Sequence, residues 1–174
     1  MLETIITNKT RLKLLLKFFL NKQATGYLRG LETEFGESTN AIRVELNRME
    51  DAGLLVSSFS GNKKYFQANT EHPLYNEINS ILKKTVGIDK IINNVLLNIG
   101  DLQQAYITGD LAMGKDSNVI DLVLIGNSID KRYVSVLIKK AEQLIQRKIR
   151  FFILSDAEKV EFLANNNALF IWRA

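Results

Sequence analysis

Residues Ser38–Leu55 read STNAIRVELNRMEDAGLL, and shortly afterwards Gly61–Asn69 read GNKKYFQAN. In the first stretch Ile42, Leu46 and Met49 recur at helical spacing and make one face apolar. Ser38 stands where an N-cap is wanted and Gly53 where a helix ends, so the spacing predicts a helix over Thr39–Ala52. Its opposite face carries Asn40, Arg43, Val44 and Asn47. Beyond Gly53 the period changes to that of strands. LLVSS and KKYFQAN flank SFSGN, whose Gly61-Asn62 pair is a turn signal, and the segment reads as a β-hairpin.

Working outward, Thr10–Leu20 puts Leu12, Leu15, Leu16 and Phe19 on one helical stripe, with Lys13 and Lys17 on another. A second short helix is expected over Thr25–Phe35, with Tyr27, Leu28, Leu31 and Phe35 apolar and Gly36 at its end. Three helices, a tight turn between the second and third, and a hairpin form the pattern of a winged helix-turn-helix, here over residues 1–70. The lone proline, Pro73, suits a helix start. HPLYNEINSILKKTVG and Ile88–Ile99 then read as connecting helices over residues 71–100.

After Gly100 the expected order is strand Gln104–Thr108, a glycine-bounded turn, strand Val119–Ile125, helix Lys131–Arg147, strand Ile149–Leu154, helix Asp156–Ala164 and strand Ala168–Trp172. The expected class is therefore α+β, a winged helix-turn-helix followed by a small α/β domain with a mixed sheet at residues 101–174.

Composition sets few limits. Hydrophobic content of 46% and charged content of 24% are ordinary for a globular chain. The strongest apolar run, LKLLLKFFL at Leu12–Leu20, is too short to cross a bilayer and is interrupted by Lys13 and Lys17. No signal-peptide order is visible at the start, and the expected compartment is the cytoplasm. Cysteine is absent, which excludes disulfides and thiolate metal sites. The net charge of +4 permits a polyanionic partner. The excess is concentrated before Thr70, where ten Lys/Arg face seven Asp/Glu. The single histidine, His72, precedes Pro73 at a helix start, where capping is the ordinary role.

The residue types on the Thr39–Ala52 helix suit DNA. Asn can bond adenine through a bidentate fork and Arg can do the same with guanine, so Asn40, Arg43 and Asn47 are candidate base readers. Ser38, Thr39 and the amides at this helix start are candidate phosphate holders. Asn62, Lys63 and Lys64 put two positive charges on a flexible turn. Together, STNAIRVELNRMEDAGLL and GNKKYFQAN resemble winged-helix transcriptional regulators of the arsenical-repressor type, over roughly Leu12–Asn69. That resemblance implies double-stranded DNA as partner and a homodimer. It does not carry the family's metal sensing, because this chain has no Cys and one His.

In the second half, Gly109-Asp110-Leu111-Ala112-Met113-Gly114 followed by Asn118-Val119-Ile120-Asp121-Leu122 resembles the minimal nucleotidyltransferases of the polymerase-beta superfamily, over about Leu102–Trp172. The family pattern is Gly-Ser-x-Ala-x-Gly, a loop, then Asp-x-Asp on a strand. The resemblance implies two Mg²⁺ ions held by carboxylates on one strand face. Here Asp110 stands at the serine position, Val119 at the first aspartate, and only Asp121 remains. The third carboxylate falls near Arg150, which is expected to pair with Asp121. Gly109, Asp110 and Asp121 thus mark a degenerate motif, with no catalytic residues and no metal expected. A rescue in which Asp110, Asp116 and Asp121 converge on one ion stays open, with Mg²⁺ as its cofactor.

The expected function is a DNA-binding transcriptional regulator whose C-terminal domain serves ligand sensing, of a nucleotide or other small-molecule effector, or assembly. A nucleotidyltransferase acting on a protein or small molecule, and an antitoxin-like interaction module, are the alternatives. No membrane partner is expected.

Overall fold

The computed structural model describes residues 2–174. The chain divides into two compact units, Met1–Thr85 and Val86–Ala174. Residues 71–100, expected as a separate connector, are shared between them. Helix α5 (Tyr75–Val86) belongs to the first unit up to its end, and α6 (Ile88–Asn94) lies in the second. The protein is α+β, with one sheet in each unit.

The first unit begins with α1 (Leu2–Ile5) and α2 (Lys9–Leu15), the latter capped by the Asn8 side chain, which accepts from the Arg11 amide. The single helix expected over Thr10–Leu20 changes character halfway. Leu16–Leu20 forms a π-helical turn, and every residue from Leu14 to Leu20 is buried. An α-helical stripe cannot turn seven consecutive side chains inward, whereas the wider π turn re-aims Phe18 and Phe19 into the core. Lys17 is buried along its stem, and its ammonium reaches Glu34 at 3.0 Å.

Strand β1 (Gly26–Tyr27) precedes α3 (Leu28–Phe35), so the helix expected from Thr25 starts three residues later. Gly26 and Tyr27 pair with Phe66 and Tyr65 of the hairpin, and that ladder competes successfully with helix. Gly36 at φ +64° ends α3, and α4 (Thr39–Asp51) follows after a short turn, capped by Ser38. The hairpin is β2 (Leu55–Ser60) and β3 (Lys63–Ala68), giving the antiparallel order β1-β3-β2. Leu14, Phe18, Phe19, Leu31, Ile42 and Leu46 fill the core. His72 Nδ1 accepts from the Leu74 amide just before α5, a local cap.

The second unit opens with α6, which stops at Val95 and continues as a 3₁₀ turn at Leu96–Asn98, where one helix to Ile99 was expected. Then come β4 (Gln104–Thr108), α7 (Gly109–Ala112), β5 (Val119–Ile125), α8 (Lys131–Ile145), β6 (Lys148–Leu154), α9 (Asp156–Asn165) and β7 (Leu169–Arg173). Strand order is β6-β5-β4-β7, with β5 and β6 parallel and the other pairs antiparallel, so the sheet is mixed. Ile120 and Leu122–Ile125 of the interior strand β5 are fully buried, as its nearly unbroken apolar run requires. Local chemistry sets the helix ends: Asp130 caps α8, and Ser155 with Glu158 forms a capping box on α9. Among the described residues, no helix is long and apolar enough to cross a membrane.

Candidate nucleic-acid interface

The apolar face of α4 is fixed by Ile42, Leu46 and Met49 in the core, which leaves Asn40, Arg43, Val44 and Asn47 exposed. Arg43 and Asn47 line an open concavity of about 550 Å³. Asn62, Lys63 and Lys64 reach it from the hairpin, and Tyr27 and Arg29 from β1 and α3. Its lining contains four cationic side chains and no carboxylate. Asn40 lies on the same exposed helix face but outside this lining.

Charge pairing sharpens the picture. Several basic side chains of the first unit are paired with carboxylates: Arg11 and Arg48 with Glu45, Lys13 with Glu37, Lys17 with Glu34 and Lys64 with Glu50. Arg29 and Arg43 have no such partner among the described residues. Lys63 also lacks a carboxylate, and its ammonium lies 4.4 Å from the centre of the Tyr27 ring. Three cations without a carboxylate partner, Arg29, Arg43 and Lys63, thus share one surface.

Three of the expected contact residues are otherwise engaged. Lys64 does not sit free on a turn: it belongs to β3, donates to Glu50 at 2.7 Å, and lies over the Phe66 ring. The Ser38 hydroxyl is occupied by the Ala41 amide. The Thr39 hydroxyl donates to Glu32 at 2.6 Å, which places a carboxylate at the helix start where a phosphate was expected. Sequence reading missed Arg29, whose helix had been read only for its apolar stripe.

Below this surface, Glu45 ties α4 to α2. Its side chain is 2% exposed and receives Arg11 Nε at 2.7 Å, Arg11 Nη2 at 3.2 Å, Arg48 Nη1 at 2.9 Å and Asn8 Nδ2 at 3.1 Å. The Arg11 hydrogen bonds hold its carboxyl below the usual glutamate value, against the opposing effect of burial.

In the second unit the glycine-bounded turn is built around Asp121. Parallel pairing of β5 and β6 sets Asp121 directly beside Arg150. The guanidinium binds both carboxylate oxygens, Nε to Oδ1 at 2.6 Å and Nη2 to Oδ2 at 2.9 Å. The same pair raises the pKa of Arg150 above its already high value. Gly109 has φ +69°, and a Cβ there would lie 2.5 Å from Asp121 Oδ2, so the turn needs glycine on both counts. The three acidic residues do not converge. Asp116 pairs with Arg147 at 2.6 Å, and among the described residues no three acidic or histidine side chains are placed to hold an ion. The strand does not fit a pair of Mg²⁺ ions: Asp121 is held in a bidentate pair by Arg150, and Val119, two residues before it on the same strand face, offers only hydrocarbon.

No family model matches the chain, and no curated protein matches it. Among solved structures, one described as the crystal structure of a toxin-antitoxin with AMP-PNP is similar at 18% identity, over 50% of this chain and 73% of that one, with a TM-score of 0.42.

Proposed function

We propose that this chain is a DNA-binding transcriptional regulator of the winged helix-turn-helix kind, acting in the cytoplasm, whose second unit is a catalytically inactive nucleotidyltransferase-like domain used for effector sensing or assembly. One observation carries the reading: Arg29, Arg43 and Lys63, cations without a carboxylate partner, line one acid-free concavity with Asn47 and Asn62. A surface with that charge and that mix of forked donors suits a phosphate backbone with base edges beside it. Helix α4 would enter the major groove with Arg43 and Asn47 against base edges, while Lys63 and Arg29 meet phosphates. The Asp121–Arg150 pair supports a non-catalytic second unit, because it consumes the carboxylate that nucleotidyl transfer would need.

The test is duplex binding by the full chain to DNA from upstream of its own coding region, across a salt series. Affinity is expected to fall steeply with salt, and Arg43→Ala to weaken binding by about 1–3 kcal/mol. Salt-independent binding, or none to any duplex, refutes the reading.

A homodimer is part of the proposal. An apolar concavity of about 450 Å³ runs between α1, α4 and α5, and in its lining Ile5 and Ile81 are 74% and 52% exposed. A second copy covering this face would remove those side chains from water. Sedimentation equilibrium is expected to give a dimer that Ile81→Glu dissociates. A monomer for the unaltered chain refutes it.

A further inference from the structure

We infer that Glu50 is a positioning residue of the nucleic-acid surface, one that fixes the hairpin to the end of the recognition helix and withholds Lys64 from the phosphate backbone. The inference rests on the DNA-binding reading above. Glu50 lies in the last turn of α4, and its two oxygens go to two different strands. Oε1 accepts from the Ser57 hydroxyl on β2, and Oε2 accepts from Lys64 Nζ on β3 at 2.7 Å.

Ser57 stands opposite Phe66, and Lys64 opposite Phe59, so both contacts leave the same face of the hairpin. Lys64 is further held by the Phe66 ring, 5.0 Å from its ammonium. A carboxylate at the helix end with one hydrogen bond to each strand constrains the hairpin against rotation, which a single contact would not. Its carboxyl is held below the usual glutamate value, chiefly by Lys64 and then by Ser57.

The arrangement divides the two hairpin lysines by task. Lys63 has no carboxylate partner among the described residues and faces the concavity above Tyr27. Lys64 has spent its charge internally. A phosphate would have to displace a part-buried carboxylate to reach it, so the hairpin delivers one effective charge to DNA where the sequence offers two.

Two measurements test this in the full chain. Without DNA, the Glu50 carboxyl is titrated by ¹³C NMR; its midpoint is expected below that of an ordinary glutamate, and Lys64→Gln is expected to raise it. With duplex DNA, the slope of log affinity against log salt is read for variants. Lys64→Gln alone is expected to leave the slope unchanged. Glu50→Gln keeps an acceptor for Ser57 but frees Lys64, and is expected to steepen the slope by about 0.9, one phosphate contact. Adding Lys64→Gln to Glu50→Gln is expected to reverse that gain. An ordinary Glu50 midpoint, or a slope lowered by Lys64→Gln alone, overturns the inference while leaving DNA binding intact. Failure of the unaltered chain to bind any duplex overturns the DNA reading, and the role of Glu50 with it.

Discussion

Removing Arg11 should damage the first unit more than its exposure suggests. Its side chain is 41% exposed, but the carboxylate it serves is only 2% exposed. Arg11→Ala deletes two of the four hydrogen bonds to Glu45 and leaves a buried charge with Arg48, itself 63% exposed, and Asn8. Hydrogen bonds to charged groups contribute about 1.5–3 kcal/mol each. Discounting for the solvent around Arg11 brings the pair to about 2–3 kcal/mol in total. Glu45→Gln removes the charge but keeps the shape and should cost less, about 1–2 kcal/mol.

In the double variant no buried charge is stranded, so its loss should fall short of the sum by about 1 kcal/mol. The one tryptophan, Trp172, lies in the second unit and reports nothing of this. Hydrogen exchange of amides in α2 and α4, followed by mass spectrometry, reads the first unit directly. The expected acceleration for Arg11→Ala is about 30- to 150-fold, at tenfold per 1.4 kcal/mol. Acceleration below about threefold, or full additivity in the double variant, refutes the idea that Glu45 is a buried charge held by Arg11.

Three further outcomes follow from the geometry. Because the folded pKa values of Glu45 and Glu50 lie below the ordinary one, both stabilise the first unit above about pH 4.3, and this is lost as pH falls through the folded values; far-UV circular dichroism in urea should show it, and Glu45→Gln should flatten the dependence. Gly109→Ala should destabilise the second unit by about 1–3 kcal/mol, read by Trp172 fluorescence, since the new methyl either strains the backbone or pushes Asp121 off Arg150. Arg150→Ala should produce no transfer of labelled nucleotide with Mg²⁺, because Val119 still cannot bind metal; transfer above background would show that Arg150 alone blocks the site.

Much of the architecture was legible because its periodicities are long and cleanly bounded. Val119–Ile125 and Gln104–Thr108 were placed to the residue, since apolar runs between glycines leave little choice of end. The pairing of Asp121 with Arg150 was also legible, following from the placing of both on adjacent strands. Strand Gly26–Tyr27 was not: two residues carry no period, and only the distant Tyr65 and Phe66 select it. The π turn was hidden because seven buried residues in a row look like helix with an imperfect stripe. The candidate site was half legible. Arg43 and Asn47 follow from spacing, and Lys63 follows from its closeness to the turn although it begins β3, whereas the tie between Lys64 and Glu50 is a tertiary choice among several acids. Arg29 was missed because a lone arginine on a helix gives no signal until folding brings it beside Arg43.

The two sheets make different demands on the order of events during folding. In the first unit, β2 and β3 are neighbours in sequence and close on themselves within microseconds, as short hairpins do. In the second, β4 sits inside the sheet and needs two partners: β5, close behind it, and β7, with Gln104 meeting Arg173. Until the Leu169–Arg173 segment arrives, one hydrogen-bonding edge of β4 stands open, with Tyr106 beside it, and pairings of such large sequence separation form slowly. The second unit is therefore expected to fold more slowly than the β2–β3 hairpin, and its open β4 edge is where self-association during refolding should begin.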